Sequence, residues 1–420
     1  MVPSNLRQAF NGCVLGFLIA AAASAQVITS VDVFQDGFGG ITGIKGPRAV
    51  VASPDGKNVY ASGETGNGLA VFARDPITGN VTEIQSLFDG VGGVDGLMGA
   101  QVIAVSPDGK NVYLAGTFDQ ALAVFSRDPS TGMLTEIQVI KEVVDLPVGL
   151  ASVIWATVSP DGKNVYTAAV GDGAVINWIR NPTTGTLTLH QLLVDGMGGH
   201  NNLGGAFCVA VSPNGKNVYV TGLIDGALTV FTRNPRTGDL TEVQTFNDGV
   251  AGIDGLGQAR NVIVSRNSRQ VYVTAIGDSS VSVWKRDKET GLLTQTQVVK
   301  DSQAGVDGLF QATGVAETPD GKYIITAAFG ELRLGVFNRN VDTGLLTWNS
   351  VVINGTGNPG GLRQVISLSV WPADSTRPPG PGEVTPRHWN LYSVGFLNST
   401  FNVWDIAGSP AFADGKGDGN

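Results

Sequence analysis

The chain has few of the residues that build covalent or metal frameworks. Its 420 residues hold two cysteines, Cys13 and Cys208, and three histidines. Cys13 lies in an N-terminal apolar segment and Cys208 stands alone in a later apolar run, so no disulfide framework is available. Cys208 reads as a small buried hydrophobe. So few Cys and His leave no Cys/His zinc spacing. Basic charge is also scarce, with 27 Lys and Arg against 36 Asp and Glu. No basic patch interrupts the acidic balance, which argues against nucleic acid and anionic membrane surfaces as partners. Beyond residue 25 no apolar run approaches the ~20 residues of a membrane-spanning helix. No Ser-His-Asp order, phosphate loop or haem motif is present.

The apolar run that does exist is N-terminal. "VLGFLIAAAA" follows Arg7 and precedes Ala23-Ser24-Ala25. A positive residue, a short apolar stretch and an A-x-A site make a signal peptide over residues 1–25, with cleavage before Gln26. The mature protein is therefore expected to be secreted or otherwise extracytoplasmic. Without Arg7 it carries 26 basic and 36 acidic residues, a net charge of −10. Asn80, Asn354 and Asn398 open N-x-S/T sequons, which matter only in a eukaryotic source. Residues 409–420, "SPAFADGKGDGN", read as a flexible tail.

What the chain has in excess is glycine, 58 residues, and one phrase written repeatedly. "VSPDGKNVY" occupies Val105–Tyr113 and Val158–Tyr166, and Val211–Tyr219 differs only at Asn214. The Ser that opens each phrase falls at Ser53, Ser106, Ser159 and Ser212, each 53 residues after the last. The same step reaches Ser265, Thr318 and Trp371, giving seven copies. Each copy contains four β-rich runs separated by turn residues such as "PNGK", "LIDGA" and "PRTGD". Four antiparallel strands per unit, repeated seven times, predict an all-β, seven-bladed β-propeller. The seventh copy ends after a third strand, while "VITSVDVFQDG" at the mature N-terminus reads as a fourth strand without a blade. The two are expected to pair and close the ring, removing exposed sheet edges. Residues 26–408 thus form one domain, with a Pro-rich surface insertion at about 375–388 in the last blade.

These phrases, and "ALTVFTRNPRTGDLT" after them, resemble the YVTN-type propellers and the seven-bladed lactonase-like family. That family includes the propeller class of 6-phosphogluconolactonase and the carboxymuconate-cyclising enzymes. The resemblance spans roughly Val27–Ala407. It implies a lactone hydrolase or cyclase, with His, Glu and Arg side chains working in a pocket at the top of the central channel.

On a ring of near-identical blades, a site shows as deviation from the repeat. The position five before each anchor holds Arg48, Gln101, Ile154, Phe207, Arg260, Thr313 and Ile366. Arg363 enters the last blade, and Gln258 and Gln311 precede two others. Arg48, Arg260 and Arg363 face an apolar wall that includes Trp155 and Phe207. This suits a small organic anion, since a guanidinium forks onto a carboxylate. Gln101, Gln258 and Gln311 are candidate ligand contacts, and His200, the one His expected on this face, is a candidate base. The loops entering each blade carry Asp89/Asp95, Asp248/Asp254 and Asp301/Asp307, and the loops between second and third strands carry Asp119, Asp172, Asp225, Asp278 and Glu331, with Asn398 in the last blade. These carboxylates read first as turn caps, and secondly as oxygen ligands for Ca²⁺. No other cofactor is indicated. The alternative to an enzyme is an exported scaffold that binds a protein or glycan.

Overall fold

A computed structural model describes residues 28–353, 364–371 and 389–406, apart from positions 77, 143, 146 and 147. The expected signal peptide, Pro-rich insertion and tail, with Asn354 and Arg363, lie outside the described residues. The described chain forms seven sheets, each of four antiparallel strands. Blade 4 is typical, with Ala206–Val211 innermost, then Asn217–Gly222, Ala227–Arg233 and Leu240–Asn247 at the rim. First strands meet first strands around the ring, and Pro47–Ala52 of blade 1 contacts both Ala100–Val105 of blade 2 and Val365–Trp371 of blade 7. The last sheet is completed by Ile28–Gln35, which pairs with Thr400–Ile406 from Ile28 opposite Ile406 to Gln35 opposite Thr400. The expected closure by the N-terminal strand is what the chain does. Among the described residues no helix is long and apolar enough to cross a membrane.

The core lies between blades. Tyr113, Leu122 and Ile140 of blade 2 pack with Val153, Val165 and Trp178 of blade 3, all nearly without solvent exposure. Each blade therefore buries its faces only against neighbours, and the ring is one cooperative unit.

The repeated phrase writes an inter-blade clasp. In blade 2, the Ser106 hydroxyl donates to Asp108 at 2.6 Å and accepts the Asn111 N–H at 3.0 Å, closing the turn. Arg180 reaches over from blade 3, and its guanidinium donates to Tyr113 Oη at 2.9 Å, Asp108 at 2.9 Å and Asn111 Oδ1 at 2.6 Å. The hairpin after Arg180 is drawn into the same knot, because Tyr113 donates to the Gly185 carbonyl at 2.9 Å. Gly185 has φ +85°, and a Cβ there would lie 1.9 Å from Asn111 Nδ2, so only glycine fits. Arg74, Arg127, Arg233, Arg286 and Arg339 make the equivalent bond to the tyrosine of the preceding blade. Between blades 6 and 7 the clasp is replaced as a set. Ile406 stands in the arginine's place and Ile325 in the tyrosine's, and the two belong to one apolar core. An ion cluster and an apolar plug are thus alternative solutions to one joint, as the energetics of buried pairs allow.

The clasps have a pH signature. Burial pushes the Asp55, Asp108 and Asp161 carboxyls up, but the neighbouring serine hydroxyl and the clasping arginine outweigh it and hold all three below 3.8. A carboxyl with a depressed folded pKa contributes stability that is present above its unfolded value and lost as pH falls through the folded one. Blade 4 carries Asn214 at this place. Replacing the three aspartates by Asn should therefore flatten the fall of stability below about pH 4, measured as Tm against pH. An unchanged acid limb would refute the assignment.

Candidate active site at the channel mouth

The first strand of every blade is irregular at its upper end. The pairing register with the second strand slips around Arg48, Gln101, Ile154, Phe207, Arg260, Thr313 and Ile366, one in each blade. These are the positions that the sequence marks as deviating. A bulge leaves its residue outside the ladder and re-aims the side chain. The seven residues form a ring at the upper end of the first strands, in which Thr313 and Ile366 are buried and the Thr313 hydroxyl donates to the Val365 carbonyl at 3.0 Å. Below it lies a cavity of about 450 Å³ lined by first strands, mostly Val, Ile and Ala, with Trp155, Thr157, Asn261, Ser367 and Ser369 among them. Trp155 is fixed by donating Nε1–H to the Val209 carbonyl at 3.0 Å.

The charges at the mouth are unequal. Arg48 donates Nε–H to Glu64 at 2.8 Å, and its Nη2 pairs with the same carboxylate oxygen at 2.7 Å. Gln101 donates to the other Glu64 oxygen at 2.7 Å. The Arg48 guanidinium also lies over the Phe396 ring, 4.3 Å from its centroid. Arg260, three blades away around the closed ring, lies over the Phe207 ring at 4.6 Å. Among the described residues no carboxylate lies within ion-pair distance of Arg260. Burial first, and then the Arg48 charge, pull its pKa down to about 10, so it keeps its proton at neutral pH. Arg48, Glu64 and Arg260 together leave one positive charge at the mouth of an acidic protein.

The acidic loops form a different structure. Asp89, Asp95 and Asp119 converge, as do Asp248, Asp254 and Asp278, and Asp301, Asp307 and Glu331, with oxygens within 4.8 Å of one another in each triplet. Each triplet also holds a basic side chain: Lys141 at 2.7 Å from Asp95, Lys300 at 2.7 Å from Asp254, and Arg333 against Asp307. The first carboxylate closes its own loop, Asp89 accepting the Leu97 N–H at 3.0 Å and Asp248 the Leu256 N–H at 2.9 Å. Burial and the adjoining carboxylates raise Asp119, Asp248 and Glu331. Asp172 and Asp225 likewise accept loop N–H groups, from Gly149 at 2.6 Å and Gly204 at 2.7 Å. Loop capping accounts for these contacts.

His200 is placed away from the mouth. Its Nδ1 lies 2.9 Å from Glu242, on the outermost strand of blade 4. The loop spacing gives its height on the face but not its distance from the axis. Cys208 is fully buried, and burial pushes its thiol far up, so it is no nucleophile. Gln258 and Gln311 stand at the start of the first strands of blades 5 and 6.

The model of the lactonase family of seven-bladed β-propellers matches residues 40–196, 103–253 and 253–363. The chain belongs to this family. Among solved structures, this lactonase-family propeller is similar to a putative 6-phosphogluconolactonase from Bacteroides uniformis, at 20% identity and TM-score 0.58 over 73% of this chain and 84% of the other. It is also similar to the periplasmic gluconolactonase of Pseudomonas aeruginosa, at 20% identity and TM-score 0.60 over 73% and 85%. At such identity these likenesses carry the fold alone. No curated protein matches the chain in sequence.

Sequence reasoning missed Glu64. Its position in the loop between second and third strands is Thr117, Val170, Leu223, Ile276, Phe329 and Phe396 in the other blades of the propeller. A lone carboxylate among five apolar residues and one threonine was the available signal. The comparison of that loop followed the neighbouring aspartates instead.

Proposed function

We propose that this lactonase-family propeller opens the ring ester of a lactone at the channel mouth, outside the cytoplasm. The observation that carries the reading is Arg260, a guanidinium in a partly buried, apolar setting with no carboxylate within ion-pair distance among the described residues. In the proposed reaction Arg260 faces the lactone carbonyl oxygen, where negative charge develops as water adds. Glu64, held by Arg48 and Gln101, orients that water and takes its proton. The acyl C–O bond of the ring then breaks, and the leaving ring oxygen takes up a proton. The product is a hydroxy acid whose carboxylate remains on Arg260. Cyclisation is the same path reversed. The extracytoplasmic setting rests on the signal-like sequence of residues 1–25.

The test is base consumption in a pH-stat by the mature chain from Gln26, against sugar and aliphatic lactones. Turnover on at least one ring class is the expected result. Silence across the panel, with and without Ca²⁺, would remove the reading.

A second reading, a scaffold that binds a protein or glycan, draws on one feature. Phe38, Val91, Val144, Met197 and Val250 occupy the same place in five successive rim loops and are 58–79% exposed. Under the enzyme reading, a triple Phe38→Ser, Met197→Ser, Val250→Ser variant should keep kcat and KM. A collapse of turnover in that folded variant would favour the rim as the working surface.

A further inference from the structure

Val144 and Met197, two of the exposed rim tips, are apolar where the fold does not ask for it. The turn at Met197 is closed by main chain alone, with Met197 N–H on the Val194 carbonyl and His200 N–H on the Met197 carbonyl, both at 3.1 Å. In the loop before blade 6 the same place holds Gln303, which is exposed. Ile224, at the tip between the second and third strands of blade 4, is 72% exposed. Its place is glycine in blades 3, 5 and 6, at Gly171, Gly277 and Gly330. A polar side chain, or none, serves the same turns, so these three apolar tips answer to something outside the chain.

The tips stand along a strip of carboxylates that runs over blades 3 and 4. Glu142 accepts the Leu150 N–H at 2.5 Å, and Asp172 accepts the flanking N–H groups of Gly149 at 2.6 Å and Ala151 at 3.0 Å. The Asp195 N–H donates at 3.0 Å to the carbonyl of Gly173, the residue after Asp172. Asp195 and Asp225 then accept the consecutive N–H groups of Leu203 at 2.9 Å and Gly204 at 2.7 Å. Val144 and Met197 follow Glu142 and Asp195 by two residues, and Ile224 precedes Asp225.

The adjoining joints set a cation among such carboxylates, Lys141 against Asp95 and Lys300 against Asp254. On the strip the equivalent residues are Val194 and Asn247. Among the described residues no basic side chain lies within ion-pair distance of Glu142, Asp172, Asp195 or Asp225. His200, in the same loop as Met197, is engaged by Glu242 at 2.9 Å. Burial first, and also the Asp172 charge, raise Glu142, so the strip is short of positive charge.

We propose that this strip is a docking surface for a basic polypeptide segment, in which Lys or Arg accompany apolar side chains. The apolar residues seat on Val144, Met197 and Ile224, and the cationic groups face the four carboxylates. The chain's own 36 acidic against 27 basic residues set a second copy, and an anionic lipid surface, against this face. The area on a few loop tips is small, so the contact is reversible. The inference goes beyond the reading of the channel mouth and does not depend on turnover there.

Fluorescence anisotropy with three labelled dodecapeptides tests it: alternating Lys and Leu, alternating Lys and Ser, and alternating Glu and Leu. The chain from Gln26 should bind the Lys/Leu probe about tenfold tighter than the Lys/Ser probe, as burial of a few apolar side chains supplies, and should not bind Glu/Leu. Val144→Ser/Met197→Ser/Ile224→Ser should erase that preference at an unchanged melting temperature. Glu142→Gln/Asp195→Asn keeps acceptor oxygens for the loop amides and should weaken both lysine probes by a similar factor. Met133→Ser/Leu292→Ser, on hairpins of the opposite face, should change neither. A wild type that binds neither lysine probe, or binds both alike, overturns the inference, as does a preference that survives in the triple variant. Dimerisation of the chain, or its sedimentation with phosphatidylcholine vesicles, would overturn it too if the triple variant abolished either.

Discussion

Arg180→Ala should destabilise the propeller by about 2–3 kcal/mol, the range for losing hydrogen bonds from a charged donor and leaving a buried acceptor unpaired. The side chain of Arg180 is 2% exposed and makes bonds to three side chains of the preceding blade. Removing it leaves the buried Asn111 Oδ1 without its donor, which carries most of the loss, while the Asp108 carboxylate, 35% exposed, keeps its bonds from Ser106 and Lys110. The strand and hairpin that Arg180 ties to blade 2 also lose their anchor. Lys216, whose pair with Glu289 is 54% and 83% exposed, is the control, and Lys216→Ala should change stability by less than about 0.5 kcal/mol. The ring supplies a further comparison in its own last joint, where Ile325 and Ile406 replace tyrosine and arginine. An Arg180→Ile/Tyr113→Ile variant should recover part of the loss, because apolar pairs of similar volume can stand in for buried charge. Denaturant midpoints measure all three. A loss under about 1 kcal/mol for Arg180→Ala would mean that shared cores, not clasps, hold the blades together.

The step of 53 residues made the blade count legible, and the orphan fourth strand made the closure legible. Both depend only on local strand and turn chemistry, which a repeat shows seven times over. The clasp was hidden because its partners lie 67 to 72 residues apart, in different copies of the unit. A repeat aligned on itself shows that Arg, Asp and Tyr recur, not that they meet across a joint. At the site, comparison of equivalent positions found Arg48, Gln101 and Arg260 because the bulges that aim them occur at one place in every blade. The same comparison put His200 on this face and left its distance from the axis open; it stands against Glu242 on an outer strand. The rim aspartates were readable as turn caps from Asp-Gly grammar, and Asp89 and Asp248 serve their loops that way. Glu64 lay in a segment whose neighbours all read as ordinary turn, so nothing but its charge set it apart.

Arg260→Ala should lower kcat/KM for the responsive lactone by about 10²–10³, the loss that follows removal of one donor to a developing oxyanion. The case rests on asymmetry. Arg48 is held by Glu64 on one side and Phe396 on the other, so its charge is spoken for. Arg260 has an aromatic ring beneath it and no counter-ion among the described residues, and burial has lowered its pKa to about 10. An unneutralised guanidinium in such a place is unfavourable for the empty protein, and a bound anion relieves it. Arg260→Lys keeps the charge without the planar fork, and should recover only part of the rate. Glu64→Gln separates the roles, since it should reduce kcat while leaving KM within a few-fold if the carboxylate handles water rather than the ligand. If Arg260→Ala retains full turnover with an unchanged melting temperature, the chemistry is elsewhere in the channel. If Arg260→Ala and Glu64→Gln raise KM alone, the mouth binds the ligand but does not act on it. Equal loss in kcat and kcat/KM would place Arg260 on the reacting oxygen, because only a contact made in the transition state has that signature.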